Sequence, residues 1–448
     1  MSDTRQPEER QRGIHARVWA IAAPVMLSNL SVPLLGAVDT AVVGHLPDPA
    51  YIGGVAVGAI IFSFLYWGFS FLRMGTSGFT AQAYGSGDRD ELRAVLARAL
   101  LLALAIGLLL IVLQLPISWI SFHLFEASSE VETQATLYFD IRIWSAPASL
   151  ANYVMIGWFL GTGRARTMLL LEVTLNGINI VLDLVFVLGF GWGVEGVALA
   201  SLLAEVTAVS LGLVIIARIL KRDGGAFRLA RIRDPARLIA LFRVNRDILI
   251  RTLCLLFAFG YFTAQGAKMS DAVLAANAIL LQFFTFMAHG IDGLADATQV
   301  LAGNAKGARH RGQFRAAIRA AALWAAGVAI VIALVFWLAG PTLIALFTNM
   351  TEVRQIAETY LPWMAVAPLL SVWCFLLDGI FIGTTRTDAM RNAMVASLLL
   401  YLAACWVLIP WLGNHGLWLA MMIFMVARAL SLAVYLPALD RSIEAAPG

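Results

Sequence analysis

The sequence predicts an all-α integral membrane protein of twelve transmembrane helices, arranged as two six-helix bundles related by a parallel pseudo-two-fold repeat. Three observations predict it. Of 448 residues, 60% are hydrophobic and 13% charged. An ordinary soluble domain carries roughly 25% charged residues, and a soluble fold could not hide so much apolar surface. Apolar stretches of about 20 residues or more recur from Val18 to Leu439 with short polar gaps between them, the length a helix needs to cross a hydrocarbon core about 30 Å thick. The third observation is an internal repeat.

Along the chain, the polar segment Met1 to Arg17 runs straight into an apolar stretch with no small-residue cleavage site, which reads as a first membrane helix and not a signal peptide. Helices are expected near 16–44, 52–83, 92–116, 132–162, 166–190, 194–220, 240–267, 272–303, 313–340, 354–384, 388–412 and 415–439. With that assignment about 26 Lys and Arg fall on the face shared by both termini, about 2 (Lys268, Arg354) on the other, and about 4 (Arg73, Arg142, Arg251, Arg428) within spans. The asymmetry places both termini in the cytoplasm. The expected organisation is a cytoplasmic segment 1–17, a first bundle 18–220, a basic linker 221–239, a second bundle 240–439 and a tail 440–448. The run Arg218, Lys221, Arg222, Arg228, Arg231, Arg233, Arg237, Arg243 is then a topology determinant at the membrane surface, not a nucleic-acid site. Cys254, Cys374 and Cys405 lie far apart in apolar segments, which suggests small core residues and neither a disulfide framework nor a metal site.

A shift of 222 positions lays Ala83-Tyr84-Gly85 on Ala305-Lys306-Gly307, Leu92-Arg93 on Phe314-Arg315, Phe125 on Phe347 and Glu130-Val131 on Glu352-Val353. It also lays Gly157-Trp-Phe-Leu-Gly161-Thr162-Gly-Arg164 on Gly379-Ile-Phe-Ile-Gly383-Thr384-Thr-Arg386. Six helices per repeat is an even number, so both repeats begin on the same side of the membrane and the symmetry is parallel. Two bundles facing a central cavity suit alternating access.

An acid at bilayer depth costs about 2.5–3.5 kcal/mol on insertion scales, so each one needs a reason. Asp39 falls in helix 1, and Asn179 and Asp183 fall one turn apart in helix 5, side by side on one face. The repeat maps Asp39, Asn179 and Asp183 to Tyr261, Tyr401 and Cys405. The second half has the scaffold without the carboxylates, which favours a functional site in the first bundle. Two neighbouring buried carboxylates repel one another and lose hydration, which makes the pair a proton acceptor of adjustable affinity. With an amide oxygen and a hydroxyl nearby the same groups form a hard oxygen cage for a sodium ion. Pro24, with Pro33 after it, removes a backbone hydrogen bond in helix 1 and allows either a static kink or a moving hinge. Asp292 and Asp296 lie one turn apart in helix 8, with Arg251 and Arg73 as candidate partners and Asp292 as a cavity charge. Asp378, Glu205 and Glu172 lie nearer helix ends, where solvation or snorkelling is expected.

Two motifs are declined. Gly191-Trp-Gly193-Val-Glu-Gly196 fits a dinucleotide fingerprint but follows a membrane helix instead of a strand. The six histidines are scattered, without a zinc arrangement, and no phosphate-binding loop is present. Gly157-x-x-x-Gly161 reads as close helix packing.

The twelve helices in two parallel repeats, the stretch Val38-Asp39-x-x-x-x-Gly44-His45 and the Asn179-x-x-x-Asp183 motif together resemble the multidrug and toxic compound extrusion (MATE) transporters. Arg251-Thr-Leu-Cys254, Phe262-Thr-Ala-Gln-Gly-Ala267 and Ala275-Ala-Asn-Ala278 resemble the DinF-like branch. The resemblance runs from about Val18 to Leu439. It implies that Asp39 is a protonation site clustered with Asn179 and Asp183, that Tyr138 and Ser201 accompany the cluster, and that a bend at Pro24 answers protonation. It implies a V-shaped pair of bundles and lipophilic, often cationic, substrates. The resulting expectation is a secondary active exporter of the bacterial inner membrane, working as a monomer by proton antiport without a cofactor or nucleic-acid partner. Sodium coupling at Asp39, Asn179, Asp183 and Ser201 is the competing version. A flippase for lipid-linked precursors would need a strongly cationic cavity, and a membrane-embedded transferase would need a His/Asp or metal constellation and sizeable loops.

Overall fold

The computed structural model describes residues 7–44, 49–124 and 128–444; the side chains of 7–12, 32–37, 39–41, 43, 49 and 124 lie outside the description. The described residues form helices and no strands. In order these are α1 (Pro7–Val43), α2 (Pro49–Gly68), α3 (Phe71–Gly85), α4 (Arg89–Val112), α5 (Gln114–Leu124), α6 (Ser129–Arg142), α7 (Ala146–Gly161), α8 (Ala165–Asp183) and α9 (Val194–Asp223). They continue as α10 (Leu229–Ile232), α11 (Pro235–Ala267), α12 (Asp271–Gly307), α13 (Arg311–Phe347), α14 (Thr351–Gly383), α15 (Thr387–Leu412), α16 (Asn414–Ala433) and α17 (Leu436–Ser442). Among the described residues, 10 spans are long and apolar enough to cross a membrane; α1 and the α6–α7 pair complete the twelve-helix set. Leu108 and Val112 of α4, Leu334 and Leu338 of α13 and Trp406 of α15 are exposed. Such apolar surface is stable against lipid, and a chain carrying this much of it is a multi-pass membrane protein. The apolar window of α14 is 72% buried and that of α13 22%, so α14 is a central helix and α13 faces lipid.

The chain divides into two compact units, one of residues 27–242 and one of residues 1–26 with 243–448. In the first, α3 packs on α4 and α7, α7 on α9, and α8 on α9. In the second, α12 packs on α13 and α14, α14 on α16, and α15 on α16. These are the same pairings one repeat later. Helix α1 contributes to both units, its residues through Met26 grouping with 243–448. Gly293 of α12 allows this: a Cβ there would come within 2.8 Å of the Ala22 carbonyl oxygen.

The repeat also reaches the helix ends, where backbone chemistry is most demanding. Asp88 caps α4 by accepting from the Glu91 N–H, and His310, 222 positions on, caps α13 by accepting from the Gln313 N–H. Gly87 and Gly163 take left-handed conformations at φ 71° and 73°; their counterparts Arg309 and Thr385 hold φ 52°. A β-branched residue with positive φ is a costly choice, so here the architecture dictates the backbone even where the glycine has been replaced.

Within spans the helices are less regular than the hydropathy pattern predicts. The stretch expected as one helix over 52–83 breaks after Gly68 into α2 and α3, and that over 132–162 passes through a 3₁₀ turn at Ile143–Ser145. Pro147 sits in the first turn of α7, where its missing N–H leaves no α-helical hydrogen bond back to Ile143 of the 3₁₀ turn. A π-helical turn at Leu184–Gly189 follows Asp183 directly.

The basic linker is not free. Arg228 pairs with Asp90 at 2.6 Å, Arg231 with Asp88 at 2.6 Å, and the Ala226 N–H donates to Asp90. Burial pushes the Asp88 carboxyl up, but hydrogen bonds from Arg231 and the Glu91 N–H outweigh it and hold the group below the ordinary carboxylate range.

Candidate functional site

Helix α8 carries polar residues at 172, 176, 179 and 183. The spacing of four, three and four places all of them on one face. Each is tied to a neighbour. Ser28 donates to Glu172, and the Asn176 amide donates to Ser31 Oγ at 2.9 Å, so two rungs bind the later part of α1 to α8. The Asn179 amide donates to Asp183 Oδ2 at 3.1 Å and makes a longer contact of 3.5 Å with Ser201 Oγ of α9. Asn179, Asp183 and Ser201 are all buried, Asp183 at 0% exposure. The amide orients one carboxylate oxygen and the hydroxyl borders the amide, so the cluster can hold either a proton or a small hard cation.

Beside this stripe lies a cavity of about 440 Å³ within the unit of residues 27–242, lined by Glu172, Asn176, Asn179 and Ser201 together with Phe62, Tyr66, Tyr138, Tyr153, Arg142 and Glu205. Arg142 of α6 pairs with Glu205 of α9 at 3.2 Å. Its guanidinium also sits 5.6 Å from the Phe62 ring centre and 5.9 Å from that of Tyr138, a cation–π arrangement. The Asn152 amide donates to the Glu205 backbone oxygen at 3.2 Å. Glu205 is therefore a buried, paired acid, not the solvated helix-end residue expected from its position. The missed signal was Arg142 itself, since a cation inside a span calls for an acid on a neighbouring helix.

The sequence-predicted residues fall as follows. Asn179, Asp183 and Ser201 come together, and Tyr138 lines the same cavity. The Asp39 backbone is in α1, but its side chain lies outside the described residues. Pro24 is buried within α1, which continues through it without interruption. Arg251, a candidate partner for Asp292 and Asp296, instead donates to Asp378 at 2.6 Å, and Arg428 donates to the same carboxylate oxygen at 2.8 Å. Asp378 is thus buried between two guanidiniums from α11 and α16 instead of solvated at a helix end. One oxygen shared by two arginines offsets the cost of burying all three charges better than a single pair would. Asp292 is half-buried within electrostatic reach of Arg428.

Comparison with known proteins fits this geometry. The family model described as MatE matches residues 24–185 and again residues 248–407, one copy in each repeat. The chain is 44% identical over 416 residues to DNA damage-inducible protein F of Escherichia coli strain K12, covering 93% of this chain and 90% of that one. It is 27% identical over 435 residues to a probable multidrug resistance protein NorM of Deinococcus radiodurans, covering 92% of each. The solved structure of a MOP superfamily transporter from Pyrococcus furiosus superposes with a TM-score of 0.86 at 20% identity over 97% of both chains, a likeness of fold.

Proposed function

The chain belongs to the MatE family, and from that premise we propose that it exports lipophilic, often cationic, small molecules by antiport with protons. One observation carries the reading. A buried carboxylate, Asp183, is bound to Asn179 beside Ser201 and a 440 Å³ aromatic-lined cavity, while the corresponding positions of the other repeat are Tyr401 and Cys405. Scaffold requirements common to both repeats do not account for that difference. Ion coupling does, because it needs a titratable group linked to the substrate path, as Asp183 is through Asn179.

In this reading both termini face the cytoplasm of a bacterial inner membrane, as the Lys and Arg distribution supports. Protons from outside bind Asp39 and Asp183, the cavity loses affinity for its occupant, and the occupant leaves outward. Proton release to the cytoplasm resets the carrier, with α1 around Pro24 as the element that responds. The oxygen atoms of Asn179, Asp183 and Ser201 also suit sodium, so sodium is the alternative coupling ion. Everted vesicles loaded by a fluorescent lipophilic cation test this. In sodium-free medium a proton gradient is expected to drive uptake, and Asp39→Asn to lower it at least about tenfold, the effect of about 1.4 kcal/mol on a rate. Uptake by Asp39→Asn at the wild-type rate contradicts the reading. Uptake that collapses only with a sodium gradient selects sodium.

A further inference from the structure

We propose that Glu172 is the inner proton relay of this carrier, passing protons between the Asn179/Asp183 cluster and the cytoplasmic side along the polar face of α8. The inference rests on the proton-coupled reading above. Asp183 ends α8 and Glu172 lies 11 residues before it, about 16 Å along the axis at 1.5 Å per residue. It is about 10 Å from the start of the helix at Ala165. A proton held at Asp183 therefore lies far from that end, and Glu172 is the acid placed between.

The intervening residues are polar and continuous with it. Asn176 and Asn179 occupy the same face, and Glu172, Asn176 and Asn179 all line the 440 Å³ cavity, many times the roughly 10–15 Å³ that one water needs. Asp183 is fully buried behind Asn179 and Ser201, which line the cavity; when that cover opens, one proton passes from its carboxylic acid through cavity solvent to the Glu172 carboxylate, and then from the Glu172 carboxyl to cytoplasmic water. The other repeat gives the control. The counterparts of 172, 176, 179 and 183 are Met394, Leu398, Tyr401 and Cys405; Tyr401 and Cys405 are buried as Asn179 and Asp183 are, and Met394 is buried where Glu172 is half-buried. The helix packs at these positions without a single carboxylate, so the fold does not demand Glu172.

Other groups act on the same space. Arg142, Glu172 and Glu205 are the charged side chains that line the cavity, and Tyr153 of α7 lies within electrostatic reach of all three and of Arg73. Glu205 is committed to Arg142. Glu172 is held by the Ser28 hydroxyl, a neutral donor that positions the carboxylate in either protonation state.

Proteoliposomes containing the full chain separate a relay from a helix tie. Two quantities are read: substrate-linked proton flux from a trapped pH dye, and substrate–substrate exchange without any gradient, which needs no net proton transfer. Glu172→Gln still accepts from Ser28 but releases no proton. Its proton-linked efflux is expected to fall at least about tenfold further than its exchange. Glu172→Asp is expected to restore most of the flux, and Ser28→Ala to leave it largely intact. Full proton-linked efflux in Glu172→Gln, equal loss of exchange and efflux, or a Ser28→Ala defect as deep as that of Glu172→Gln each overturns the relay. Failure of the coupling reading itself looks different: wild type then moves substrate with no proton flux at all.

Discussion

Asp183→Asn is expected to abolish proton-driven efflux, by about 10²-fold or more, the scale on which a positioned proton-transfer group acts, while leaving the amount of folded protein in the membrane unchanged. The substitution preserves volume, and an asparagine oxygen still accepts from the Asn179 amide that now donates to Asp183 Oδ2 at 3.1 Å. What is lost is the capacity to exchange a proton. Because Asp183 is fully buried, no solvent group takes its place. Cys405→Ala, at the matching position of the other repeat, serves as the control and is expected to leave efflux near wild type. Initial efflux rates under an imposed proton gradient, normalised to detergent-extracted folded protein, check both. An Asp183→Asn carrier that pumps within a few-fold of wild type removes Asp183 from the coupling machinery.

The second large effect is on folding and falls at the glycines of the repeat. A Cβ at Gly383 would lie 2.0 Å from the Gln299 backbone oxygen, and one at Gly379 would lie 2.3 Å from that of Ala295. In the other unit a Cβ at Gly161 would lie 2.6 Å from the Ser77 backbone oxygen and one at Gly157 2.4 Å from that of Arg73. These contacts press α14 on α12 and α7 on α3 backbone to backbone, the close approach that small residues permit between membrane helices. Gly383→Val requires those helices to part, and overpacking of this kind costs typically about 1–3 kcal/mol and more where backbone must move. A marked fall in folded, monodisperse yield is expected, with a smaller fall for Gly383→Ala. Gly177 of α8, where a Cβ meets nothing within 4 Å, is the contrasting site. There Ala is expected to be tolerated or to stabilise by about 0.5–1 kcal/mol through helix propensity. Thermal unfolding of purified protein followed by size-exclusion chromatography distinguishes the two sites; equal tolerance at Gly383 and Gly177 contradicts the packing account.

Much of this was legible before any coordinates. Span length and composition suffice for the membrane class because lipid forbids unpaired backbone. The 222-residue shift carries through to caps and left-handed turns, as Gly163 and Thr385 show. The spacing of Asn179 and Asp183 on one helix is local information, and Ser201 joins them through the short connection between α8 and α9. What stayed hidden depends on distant parts of the chain. Arg142 meets Glu205 across 63 positions and Arg251 meets Asp378 across 127, and no periodicity relates such partners; only the rule that a buried charge needs an opposite one does. The breaks at Gly68 and Ile143 were hidden for another reason: hydropathy averages over a span and is blind to a local switch of the hydrogen-bond pattern, such as the bonds three residues back from Phe69 and Ser70. The stripe through Glu172 was in plain view as a heptad-like spacing, but position near a helix end suggested solvation, and the Ser28 donor that holds it comes from another helix.

Substrate-linked proton movement in sodium-free proteoliposomes tests the central claim most directly. The account predicts that adding a lipophilic cation on one side drives protons the opposite way, and that the flux disappears in both Asp39→Asn and Asp183→Asn. Substrate efflux that proceeds at full rate with no proton movement, or proton movement unchanged in the two variants, would contradict it.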